Sequence, residues 1–182
     1  MSDSNEPAGL AFALRGSRDL LEKLRYETGC LSTIERHDVL GRAYVAFNCA
    51  VTAWHMTDWI WVEMDQGQRE RVQALACTNF QLEKTNPRPL QAYVRTASNA
   101  LRLCELIANG SKHCSLRSPD PGVSTTMADG DGVNWGNPVV SVDGQEILVG
   151  DVLWQAVCWW EVFLADWHIA EKAPFVSDGD WS

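Results

Sequence analysis

Between Ala43 and Thr57 the chain runs fifteen residues without an Asp, Glu, Lys or Arg, and the apolar pattern continues to Val62. Projected at about 100° per residue, Tyr44, Phe47, Val51, Trp54 and Val62 form one apolar stripe, and His55 and Asp58 fall inside that stripe rather than opposite it. Cys49, Ala53, Met56, Ile60 and Trp61 cover the other faces. The pattern predicts a helix nearly apolar all round, running through the middle of a bundle with two ionisable side chains where a core should be. Ser32 and Glu35 have capping-box spacing, which puts the start of this helix near Thr33 and its end near Asp65.

The same period defines its neighbours. Gly9 to Thr28 reads as an outer amphipathic helix with Leu10, Leu14, Leu20, Leu21 and Leu24 on its apolar side, ended by Gly29. Gly67 breaks the central helix, and Gln68 to Lys84 resumes through Val72, Leu75, Ala76, Phe80 and Leu82 until Asn86-Pro87-Arg88-Pro89 stops it. Pro89 suits the first turn of a fourth helix, whose stripe is Tyr93, Ala97, Ala100, Cys104 and Ile107 and whose C-cap is Gly110.

Residues 115 to 136 are rich in Pro, Gly, Ser and Asp and predict a mobile loop. Two β-rich runs then flank Asp143-Gly144, the signal of a hairpin with a type I′ turn over Pro138 to Val149. Asp151 is the expected N-cap of the last helix, which buries Leu153, Val157, Trp160, Leu164 and Trp167. The fold class is therefore mainly α: one domain over residues 1–182, a helical bundle of about five helices with a β-hairpin inserted before the last. Residues 1–8 and 174–182 are expected to be loose tails.

Composition narrows the function classes. Apolar content of 46 % with nine tryptophans excludes disorder. The uncharged run is shorter than the roughly 20 residues a bilayer needs, so no membrane partner is expected. A net charge of −9 and a pI near 4.8 argue against a broad footprint for DNA or an anionic membrane. The N-terminal MSDSNEPAG has no basic cap or apolar signal region, so a cytoplasmic location is expected. Six cysteines without a CxxC pair predict neither a disulfide framework nor a zinc knuckle.

Two constellations carry candidate chemistry. Asn48, His55 and Asp58 share one sector of the central helix at spacings of seven and three, where an Asp one turn from a His can orient the imidazole or raise its pKa for binding or proton transfer. Their alternative is a buried polar network that makes packing unique. Asn109, Lys112 and His113 stand at a helix end and the mouth of the long loop. There Lys112 and His113 either complement the helix dipole or bind a phosphate or carboxylate, with His113 transferring a proton and Asn109 orienting the ligand.

His55, Asp58, His113, Cys114, Glu161 and His168 include the right ligand types for a metal but lack HExxH, paired ExxH or CxxC spacing, so no metal and no cofactor are expected. The absence of GxxxxGK[ST], GxGxxG and GxSxG removes the usual evidence for nucleotide hydrolysis and esterase chemistry. Trp54, Trp59, Trp61, Trp154, Trp159, Trp160 and Trp167 read as packing residues on two core helices. The apolar band is wide enough to suggest a homodimer, with Trp59, Trp61 or Trp159 held for its interface.

The run NALRLCELIANGSKHCSL, with AFNCAVTAWHMTDWIW upstream and the VDG hairpin followed by VLWQAVCWWEVFL, resembles a family of uncharacterised bacterial and phage-associated helical proteins over about Val45 to Trp167. More distantly, a polar-residue-then-histidine motif at a helix end is similar to HEPN domains, dimeric helical modules of which many are ribonucleases in toxin and defence systems. The first expectation is a cytoplasmic ligand- or partner-binding protein whose surface joins Asn48, His55 and Asp58 to the Asn109–His113 corner. The alternative implied by the HEPN resemblance is a metal-independent ribonuclease, with RNA as partner, His113 as general base or acid, Lys112 stabilising phosphate charge and Asn109 orienting the substrate.

Overall fold

A computed structural model describes residues 14–80, 88–110, 122–129, 132 and 134–169, with only the backbone described at 78–80. Its described elements are α1 (Ser17–Thr33), α2 (Val39–Glu63), α3 (Gln66–Phe80), α4 (Pro89–Ala97), α5 (Asn99–Gly110), β1 (Val123–Met127), β2 (Pro138–Val142), β3 (Gln145–Leu148) and α6 (Val149–Asp166). The chain is a helical protein with a small antiparallel sheet, ordered β1-β2-β3, before the last helix. Among the described residues no helix is long and apolar enough to cross a membrane.

Local chemistry explains most boundaries. Asp19 accepts from the Arg15 and Gly16 amides at 2.7 and 3.2 Å and closes the N-terminus of α1, which continues through Gly29 rather than ending there. Ser32 is no cap for α2: its hydroxyl donates back to the Gly29 carbonyl at 2.7 Å. Asp38 caps α2 instead, accepting from the Gly41 amide at 2.9 Å. The break after α2 falls at Met64-Asp65, not Gly67. Asp65 and Gln68 cap each other reciprocally, both bonds at 2.8 Å, and Gly67 lies inside α3.

Pro89 opens α4 as expected, but the single helix expected up to Gly110 is two. Ser98 takes an extended conformation between them, and its hydroxyl accepts from the Leu101 amide at 3.3 Å to start α5. The hairpin has the expected two-residue turn, with Asp143 at φ +51° and Gly144 at φ +81° and Val142 opposite Gln145. Strand β1 arises inside the stretch expected to be a loop; its β-branched Val123, Thr125 and Thr126 pair along β2. Asp151 lies in the first turn of α6, and Leu148 occupies the N-cap without a side-chain cap.

Helix α2 is the centre of the molecule, packed by α1, α4, α5, α6 and β2. Its buried face is rotated away from the bulky stripe the pattern predicts, although Trp54 of that stripe is buried and Phe47 and Val51 are half-buried. Ala46, Cys49, Ala50, Ala53, Met56, Thr57 and Ile60 point inward, whereas Tyr44 and Val62 are 67 % and 72 % exposed. Small side chains let the neighbouring helices approach closely. Trp160 of α6 takes advantage of this: fully buried, it donates its indole N–H to the Ala53 carbonyl at 3.0 Å.

Leu153, Val157, Trp160 and Leu164 of α6 and Trp167 at its C-cap are buried as expected. Phe163 stacks on Trp159 and Trp167 with centroids 5.0 and 5.1 Å apart and meets Trp160 edge-on at 5.5 Å. The Arg71 guanidinium lies 4.6 Å over Trp167. Trp59, Trp61 and Trp159, the residues expected at an interface, are half-buried, packed against the hydrophobic core with part of their surface open.

Candidate functional site

Asn48, His55 and Asp58 are on the exposed side of α2, not in the core. Asn48 donates to Glu27 at 3.1 Å, within a network in which Lys23 donates to both Glu27 and Thr52 at 2.7 Å and Thr52 donates to Glu27 at 3.0 Å. That network fastens α1 to α2. Asp58 instead accepts from the Gln91 amide of α4 at 3.1 Å, and Gln91 also donates to Thr57 at 3.3 Å. His55 has no hydrogen bond or ion pair among the described residues.

Asn109 donates to Glu105 at 3.4 Å, one turn earlier on α5. Glu105 is buried and grips Arg95 through both carboxylate oxygens, and this hydrogen bonding holds the Arg95 guanidinium above its ordinary pKa. Arg95 also lies 5.8 Å over the Trp54 ring. Lys112, His113 and Cys114 lie outside the described residues. Among those described, no hydrogen bond joins Asn48, His55 or Asp58 to Asn109, so the three α2 residues and the α5 end serve separate contacts. Glu161 accepts from Arg25 Nε and Nη2 at 2.9 and 2.7 Å, and no group of three or more His, Cys, Asp and Glu suited to a metal occurs among the described residues. Burial pushes the Cys49 and Cys104 thiols up to about 12, which leaves them poor nucleophiles.

A different place gathers unspent polar capacity. A groove of about 410 Å³ opens between the end of α1, the first turn of α2, the start of β2 and the start of α6; Thr28, Arg42, Asn137, Gly150, Asp151 and Trp154 are among its lining residues. Arg42 is only 8 % exposed. One guanidinium nitrogen donates to the Ile34 carbonyl at 2.6 Å and another to Asn137 Oδ1, while Nε has no partner among the described residues. No carboxylate pairs with Arg42 among the described residues. A buried positive charge without an opposite charge is costly, because the low local dielectric removes hydration without replacing it.

The backbone explains how Asn137 reaches this position. Gly136 has φ +73°, and a Cβ there would stand 2.4 Å from the Arg36 carbonyl, so only glycine lets the β1–β2 connection press against the turn before α2. The Ala128 amide then donates to the Asn137 carbonyl at 2.8 Å and fixes the residue opposite Arg42. Where α6 lines the groove, it begins with no side chain capping its amides, nothing lies within 4 Å of where a Gly150 Cβ would stand, and Trp154 is 62 % exposed.

Thr28 Oγ1 is also buried with no partner among the described residues beyond a weak hydrogen bond to the Cys49 thiol, which lowers the thiol pKa against the larger effect of burial. The uncompensated group of the groove is therefore Arg42. Sequence reasoning passed over it, although Arg42 is the one Asp, Glu, Lys or Arg between Val39 and Thr57 and shares a face with Ala46, Cys49 and Ala53. A lone charge in register with small buried residues was the available signal. Compared with family models, curated proteins and solved structures, the chain matches none.

Proposed function

We propose that the chain is a cytoplasmic ligand-binding protein and that its ligand is a small charged molecule held in the Arg42 groove. The observation that carries this is the buried Arg42 guanidinium, unpaired by any carboxylate among the described residues, in the wall of an opening large enough for a small molecule. Binding rather than catalysis is favoured because the wall offers a fixed cation and hydrogen-bond donors but no paired nucleophile and base.

The test uses the full chain labelled with 5-fluorotryptophan, with the Trp154 resonance assigned by Trp154→Phe. Small carboxylates, amines and aminocarboxylates are then titrated in. At least one class is expected to move the Trp154 resonance saturably while leaving that of the buried Trp160 in place, and to raise the melting temperature by mass action. A Trp154 resonance indifferent to all three classes would reject the groove as a binding site.

A further inference from the structure

Resting on that reading, the charges of the groove point to the class of its ligand. Arg42 supplies a cation on the α2 wall. Beside it Asn137 is oriented by chemistry: its oxygen accepts from the guanidinium, so its amide nitrogen is left as a donor. Together these groups suit a carboxylate, which can take two donors at once. On the α6 side of the groove, Asp151 is exposed and has no hydrogen bond or ion pair among the described residues. Trp154 follows it by three positions on the same face of α6 with its indole open to solvent. A carboxylate beside an exposed aromatic face suits an ammonium group, through an ion pair on one side and a cation–π contact on the other.

The remaining charges lining the groove do not alter this balance. Arg25 is engaged by Glu161 and Glu22, and chiefly the hydrogen bond to Glu161 holds its pKa above the ordinary value. Ser32 spends its hydroxyl on Gly29. A simple anion would meet Arg42 favourably and Asp151 unfavourably, and a simple cation the reverse. Only a ligand with both charges satisfies both walls. We propose that the groove binds a free amino acid as its zwitterion, the carboxylate on Arg42 and Asn137 and the ammonium on Asp151 and Trp154.

Calorimetric titration of the full chain with the common L-amino acids, followed by the des-amino acid and the decarboxylated amine of whichever binds tightest, tests this. The amino acid is expected to bind at least about tenfold more tightly than either half, a difference of about 1.4 kcal/mol. Asp151→Asn, an exposed position whose folding is checked by circular dichroism, should lower its affinity to that of the des-amino acid and leave the latter's own binding unweakened. If the des-amino acid binds the unmodified chain as tightly as the amino acid, the zwitterion inference fails and the groove stands as an anion site. If the amine does so, the inference fails in favour of a cation site. If no amino acid binds, the inference fails outright, and the separate fluorine titration shows whether the groove binds anything at all.

Discussion

At the scale of single residues, unmet polar atoms separate stability from recognition. Thr28 Oγ1 is buried on the core side of the groove wall with only a thiol before it, and a hydroxyl without a proper partner costs more than a methyl group in the same place. Thr28→Val should therefore stabilise the chain by up to about 1 kcal/mol, raising the melting temperature by about 2–4 °C. Calorimetry showing a fall instead would mean that the hydroxyl is satisfied in solution. Arg42 is the opposite case, since its charge cannot be deprotonated away and no carboxylate among the described residues offsets it. Local patterning could reveal that Arg42 was unusual but not what faces it, because Asn137, Asp151 and Trp154 arrive from positions 95 to 112 residues further along the chain.

At the scale of elements, α2 shows where hydrophobic periodicity succeeds and where it misleads. The length and helical period of its apolar run made a central helix legible, and the Asp-Gly turn made the hairpin legible, because both are local signals. The inward face was not. Projection gives weight to bulky Tyr44, Val51 and Val62, whereas a helix packed by four others and a strand is limited by how closely backbones can approach, and that condition selects Ala46, Cys49, Ala50 and Ala53. With the face rotated so that only Trp54 of the stripe stays buried, His55 and Asp58 lie on the exterior rather than in the expected buried site. Strand β1 was missed for a related reason, since its threonines look polar until β2 is set beside them.

The corrected face is testable by a pair of substitutions. Ala53→Leu, at a fully buried position, should destabilise the chain by about 1–3 kcal/mol through overpacking. Tyr44→Ala, outward by comparison, should change stability by only about 0.5 kcal/mol. Urea unfolding that reverses the order of these two would overturn the assignment of the faces.

For the whole molecule, the interior holds thiols as well as hydrocarbon. Burial disfavours the thiolate and pushes the Cys49 thiol on α2 and the Cys104 thiol on α5 up to about 12 from an ordinary value of 9.0. A raised folded-state pKa contributes stability that is fully present below pH 9 and is lost as pH rises through about 12. Chemical denaturation across that range should show a steep alkaline loss. The slope is expected to flatten in the Cys49→Ala/Cys104→Ala double variant; an unchanged slope would assign the loss to other groups.

The bond from the Trp160 indole to the Ala53 carbonyl has an evolutionary corollary. Its acceptor belongs to the main chain, so no replacement of residue 53 removes it, whereas losing the tryptophan abolishes it in one step. Sequence drift across that contact is accordingly one-sided: α2 can exchange one small residue for another, but α6 must keep a ring with a donor at its edge. Among diverged descendants of this chain, position 160 is where tryptophan should persist longest.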